Sequence, residues 1–116
     1  MTVKEFYDAT GGGYEEMIAK FGKDSTITAF LNIFKRDASY KTLTEKLAEG
    51  DVHEAFAAAH TLKGVALNLN LVGLIDPVCS VVEALRAGDL QGAKEKFPAL
   101  EGAYSKAVAA LAVLLP

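Results

Sequence analysis

Apolar positions recur at three- and four-residue spacing along almost the whole chain, and no stretch sustains the period-two alternation of a strand. Thr2 and Glu5 have the spacing of a capping box, which predicts a short helix over Val3–Ala9 that Thr10-Gly11-Gly12-Gly13 ends. A second short helix is predicted from Tyr14 to Phe21, stopped by Gly22. Asp24 reads as the N-cap of a third, with Ile27, Phe30, Leu31 and Phe34 on one face. Ser39 reads as the cap of a fourth, with Leu43 and Leu47 inward and Gly50 as its stop. These two segments form either two helices or one long kinked helix. Asp51 caps a central helix from Val52 to about Leu69. The next helix has Val78, Val81, Val82 and Leu85 as apolar positions and ends at Gly88. Asp89 caps the last, which carries Leu90, Ala93, Phe97, Leu100, Tyr104, Val108 and Leu111.

Two prolines interrupt this pattern. Pro77 follows Asp76, so the later helix starts there or, alternatively, near Val72 with Pro77 in an early turn. Pro98 lies inside the last pattern and is expected to kink or divide it. The predicted fold is all-α: an antiparallel up-and-down four-helix bundle over residues 24–116, with short accessory helices in residues 1–23, in one domain.

Composition narrows the function. The 116 residues suffice for one domain with a modest core, and 51% of them are apolar. A net charge of −3 and interleaved signs, as in Lys35-Arg36-Asp37 and Lys94-Glu95-Lys96, leave no basic stripe for nucleic acid. The single Cys79 cannot form an internal disulfide and reads as a small buried hydrophobe, and one Cys with two His shows no zinc spacing. The N-terminal residues show no signal-type apolar region, and the apolar run Ala107–Leu115 is shorter than the roughly 20 residues of a membrane span. A soluble, cytoplasmic chain without a membrane association is expected.

The central helix carries the candidate chemistry. At about 100° per residue, Val52, Ala55, Ala59, Leu62, Ala66 and Leu69 form one core stripe, and His60 falls well off its centre. Lys63 and Gly64 lie three and four residues on, beside His60 on the outer face. Phe56 precedes it by a turn, and Leu67 and Leu71 continue the flank. An imidazole is a competent nucleophile at neutral pH and can hold a phosphoryl group as a phosphoramidate. A lysine one turn away can balance charge on the phosphoryl oxygens. A mid-helix glycine costs roughly 1 kcal/mol relative to alanine, and here its missing side chain would admit another protein's loops. His53, in the first turn and without a lysine three residues on, reads as solvent-facing. Gly11-Gly12-Gly13 lacks the Lys-Ser or Lys-Thr ending of a P-loop. Asp51 and Glu54 are better explained by the helix dipole than by catalysis.

Ala59-His60-Thr61-Leu62-Lys63-Gly64-Val65-Ala66 resembles the signature of histidine phosphotransfer (HPt) domains, written A-H-x-L-K-G followed by small residues. Phe30 to Phe34 and Glu83 to Leu90 resemble the family's flanking helices, so the likeness covers about residues 25–113, and the two front helices resemble those of stand-alone members. The resemblance implies an antiparallel four-helix bundle that carries a phosphoryl group without kinase activity or a nucleotide site. It implies His60 as the phospho-acceptor, Lys63 as the charge-balancing residue and Gly64 as the residue that clears the approach. Asn68 matches a position often small or polar, and Phe56, Leu67, Asn68 and Leu71 are the expected partner-binding residues. The implied partners are response-regulator receiver domains and a hybrid sensor kinase. No cofactor of its own is implied, the magnesium of transfer belonging to the receiver, and a monomer is expected. The sequence departs from the family at Leu67 and Asn70, where small residues or glycine are common. Leu67 either enlarges the apolar docking patch or narrows the set of receivers that fit. The alternative is an interaction module of the same shape that binds a partner without phosphotransfer.

Overall fold

The two residues Thr2 and Glu5 close the first helix as the capping box requires. Glu5 N–H donates to Thr2 Oγ1 at 3.1 Å and Thr2 N–H donates to Glu5 Oε1 at 2.8 Å. The computed structural model describes residues 1–116 as seven helices without a strand. They are α1 (Val3–Ala9), α2 (Tyr14–Phe21), α3 (Asp24–Arg36), α4 (Ser39–Glu49), α5 (Val52–Asn68), α6 (Val72–Arg86) and α7 (Leu90–Leu114). All seven contribute to one apolar core. α5 is flanked by α4 and α6, and α7 packs along α6 and meets α3 and α4, where Tyr104 stacks on Tyr40 at 3.8 Å and lies edge-on to Phe34. Five alanine or leucine side chains of α5, Ala55, Ala58, Ala59, Leu62 and Ala66, face that core. Small side chains let neighbouring helices approach closely, while Val52, expected in the stripe, is only half-buried.

Two predicted caps are corrected. Asp24 lies inside the first turn of α3, Lys23 occupies the cap position, and the Asp24 carboxylate instead accepts from the Tyr14 hydroxyl at 2.6 Å. Ser39 likewise lies inside α4; Asp37 Oδ1 accepts from Ser39 N–H at 2.9 Å and also from the Ser39 hydroxyl. Asp37 and Ala38 thereby separate α3 from α4 as two helices. Asp51 and Asp89 cap as expected, accepting from Glu54 N–H at 3.1 Å and Gly92 N–H at 2.8 Å.

The prolines resolve differently. α6 starts at Val72 and carries Pro77 within it. α7 runs undivided through Pro98, so of the two expected outcomes, a kink or a division, the division does not occur. Pro98 and Lys94, whose carbonyl loses its donor, both lie on the solvent side, so water can satisfy that group. Val108 is exposed and Ala107 is buried, because the core register of α7 runs Ala93, Leu100, Ala107, Leu111. One stretch of α7 averages a hydropathy of 1.2, enough by length and composition to cross a membrane, which the run of Ala107–Leu115 alone did not suggest. Leu100, Ala107 and Leu111 of this helix lie in the core of the fold. Cys79 is half-buried rather than fully buried.

The accessory helices are latched to the α5–α6 turn. The Tyr7 hydroxyl donates to Leu69 O at 2.7 Å in a buried position, and burial raises its titration above the ordinary phenol range. Gly73 N–H donates to Thr10 O at 3.2 Å, so a carbonyl from the linker serves the N-terminus of α6, which has no side-chain cap. A Cβ on Gly73 would come within 2.8 Å of that oxygen. Asn70 adopts a left-handed φ of 51° and its amide donates to Gly13 O at 3.1 Å. The departure from the family at Asn70 therefore has a structural reason: this residue both turns the chain and holds the linker.

Candidate phosphoryl-accepting site

α5 presents His60 to solvent opposite its alanine-rich core face. The imidazole makes no hydrogen bond within the chain, while Thr61 beside it turns its hydroxyl back to Ala57 O at 3.0 Å. Both ring nitrogens are thus free for an incoming group. Lys63, half-buried one turn on, enters none of the ion pairs of the structure, which join Lys4 to Asp8, Lys46 to Glu49 and Arg86 to Glu83. Its ammonium needs no exchange of partners to meet a new anion. Gly64 faces open space: a Cβ built there would meet no atom within 4 Å. Close helix packing therefore does not explain this glycine, which leaves the surface beside His60 open. The expected grouping of His60, Lys63 and Gly64 is therefore assembled on one face.

The flanking residues divide. Leu67 is 49% exposed and Asn68 is exposed, both continuing the His60 face. Leu71 is 1% exposed and corrects the expectation of a partner-binding residue. α5 ends at Asn68, so Leu71 no longer follows the helical wheel; as the cap residue of α6 it turns into the core. Phe56 is half-buried, its ring 5.8 Å from that of His60 at an interplanar angle of 36°. His53 is exposed.

Sequence reasoning missed an apolar groove beside α5. Phe21 of α2, Phe30 and Ile33 of α3, Val65 of α5 and Leu69 just past its end form a cavity of about 410 Å³ with Lys20 and Asn68 also lining it. Phe30, assigned to the core face of α3, is 37% exposed, and Ile33 is 55% exposed. The Phe30 ring packs against that of Phe21, with centroids 4.7 Å apart and planes tilted by 36°, so its neighbour is α2 rather than the core. Ile33 carried a readable signal, since it falls off the Ile27, Leu31, Phe34 stripe.

No curated protein and no solved structure matches this chain. The family model of the Hpt domain matches residues 31–110, most of the chain, and spans His60, Lys63 and Gly64. Its members act as phosphoryl carriers in two-component signalling and generally interact with receiver domains and kinases. On that match, together with an all-helical fold, the chain belongs to the Hpt domain family.

Proposed function

We propose that the chain accepts a phosphoryl group on His60 and exchanges it with the aspartate of a receiver domain. The observation that carries this reading is an exposed, unbonded imidazole on α5 beside an unpaired ammonium and an open glycine. A neutral ring nitrogen attacks the phosphorus of the aspartyl phosphate. A P–N bond forms, the P–O bond to the carboxyl breaks, and the carboxylate leaves with the electron pair. Lys63 offsets charge on the phosphoryl oxygens as they pass between partners. The magnesium ion of the reaction belongs to the receiver's aspartate cluster, and the chain carries no nucleotide and acts as a carrier.

Leu67 and Asn68 extend the contact surface from His60, and Phe30 and Ile33 add the apolar groove beyond it. Exposed apolar side chains grouped in this way are a usual mark of a partner surface. In this reading α3 and α4 together form the first member of an antiparallel four-helix bundle with α5, α6 and α7. A hybrid sensor kinase is the expected source of phosphate, and the carrier works as a cytoplasmic monomer.

The test is incubation with a receiver domain charged by acetyl phosphate. The wild-type chain is expected to gain acid-labile, base-stable phosphate, and His60→Gln to gain none while keeping its helical spectrum and melting temperature. His53→Ala is expected to match wild type. Phosphate on the His60→Gln protein would refute the assignment. Receiver binding without any transfer would leave the chain an interaction module.

A further inference from the structure

The ring of Phe56 is held from two sides by residues of different helices. His60 lies one turn ahead on α5, with its ring centroid 5.8 Å away. Arg86, the last residue of α6, places its guanidinium carbon 5.2 Å from the Phe56 centroid. Arg86 is itself steadied by Glu83 one turn earlier, with Nε to Oε1 at 3.3 Å. Glu83, Arg86, Phe56 and His60 therefore form a continuous chain of contacts from α6 to the imidazole. Below Phe56, towards the start of α5, Val52, His53, Leu85 and Gly88 surround an open cavity of about 520 Å³ that Arg86 also lines.

We propose that Arg86 is a positioning residue for the phosphoryl acceptor, acting through Phe56. The proposal rests on His60 being that acceptor. A solvent-exposed histidine on a helix normally samples more than one χ1 well. Transfer to phosphorus requires the attacking nitrogen in line with the leaving oxygen, and small misplacements are expensive. Phe56 limits the imidazole on its N-terminal side, but only while its own ring is held out of the open space beneath it. The guanidinium holds it there by attraction to the ring face. Glu83 limits the excursions of Arg86, so its positive charge stays on the ring rather than in bulk water. Arg86 makes no hydrogen bond with His60, and the contact that reaches the acceptor is the aromatic one.

Arg86→Gln, Arg86→Lys, Phe56→Leu and the double variant Phe56→Leu/Arg86→Gln, each in the full chain, test this. The donors are potassium phosphoramidate and a receiver domain charged with acetyl phosphate. Arg86→Gln is expected to slow phosphorylation from both donors by the same factor, about two- to fivefold, the size of one exposed cation–π contact. Arg86→Lys, which keeps a cation for the ring, is expected to recover most of the rate. In the Phe56→Leu background, Arg86→Gln is expected to have no further effect, because a residue acting through Phe56 is not additive with it. Side-chain NMR couplings of His60 should show more rotamer averaging in Arg86→Gln than in wild type. A loss confined to the receiver would make Arg86 a docking contact and overturn the proposal. So would wild-type rates from both donors, equal losses for Lys and Gln, or additive effects in the double variant. Should Phe56→Leu fail to fold, the two donors and the Lys variant still decide. A wild-type chain that accepts phosphate from neither donor would instead remove the function assigned to His60.

Discussion

Replacing Gly64 separates a helix that tolerates a side chain from a partner that does not. Gly64 sits in the last third of α5 with ordinary helical backbone, and a Cβ there meets nothing within 4 Å. Alanine adds no clash and removes backbone freedom from the unfolded chain, a gain of about 1 kcal/mol. For a domain of this size such a gain raises the melting temperature by about 4 °C. Glutamine keeps about half of that gain, since it is a good helix former but loses some rotamer freedom. Its side chain extends beside His60, where under the proposed function a receiver's loops would pass. Holding the phosphoryl group even about 1 Å too far away costs up to roughly a hundredfold in rate. Gly64→Gln is therefore expected to melt no lower than wild type and to take phosphate from a receiver at least about tenfold more slowly. Phosphoramidate, being small, is expected to phosphorylate the variant within about twofold of the wild-type rate, because the chemistry at His60 is untouched. A thermal melt and two timed phosphorylation assays on one protein measure all of this. A fall of several degrees would mean that Gly64 serves tight packing, as overpacked sites do. Equal failure with both donors would place the defect in the chemistry, and either result refutes the clearance argument.

Lys63→Ala is expected to slow transfer from a receiver by about one to two decades, the worth of a charge-assisted contact of roughly 1.5–3 kcal/mol made in the transition state; an unchanged rate would make Lys63 an ordinary surface charge. Leu67→Ala should leave the unfolding free energy within about 0.5 kcal/mol of wild type while weakening receiver binding in titration calorimetry. Leu71→Ala should do the reverse, costing about 2–5 kcal/mol of stability with transfer unchanged per folded molecule. Tyr7→Phe should cost about 1–3 kcal/mol by leaving Leu69 O without its buried donor, read by urea unfolding at neutral pH. Burial raises the Tyr7 phenol above its unfolded value of about 10, so its stabilisation is complete below that pH. It declines as pH rises towards the folded value, because only the unfolded chain then loses the proton. The difference between wild type and Tyr7→Phe should shrink on that alkaline side, and a difference constant to the end of the range would contradict a buried phenol.

Much of the molecule was legible without coordinates because its information is local. The capping box of Thr2 and Glu5, the caps of Asp51 and Asp89, and the stops at Gly22 and Gly50 depend on residues within a turn of one another. The same holds for His60, Lys63 and Gly64, which one helix places side by side whatever packs behind it. Spacing on an α-helix fixes angular position, so an off-stripe imidazole could be read as exposed.

Several of the failures lie where another element decides. Leu71 looked like the next position on the α5 flank, but the helix ends three residues earlier and the α6 cap turns that side chain inward. Asp24 had the chemistry of a cap, yet Tyr14 from α2 took its carboxylate. Phe30 fits a core stripe, but on α3 its neighbour is Phe21 and the result is half of an open groove. Asn70 looked like a departure from pattern until Gly13, 57 positions away in sequence, supplied the acceptor for its amide. Arg86 meets Phe56 only because α6 returns beside α5. By itself the sequence determined the helices and the exposed face that carries His60, Lys63 and Gly64, because hydrogen bonds within a turn and helical periodicity depend only on nearby residues. Tertiary structure alone decided which apolar side chains were left uncovered and that Arg86 of α6 meets Phe56 beside His60, because burial and cross-helix contacts depend on residues brought together from distant parts of the chain.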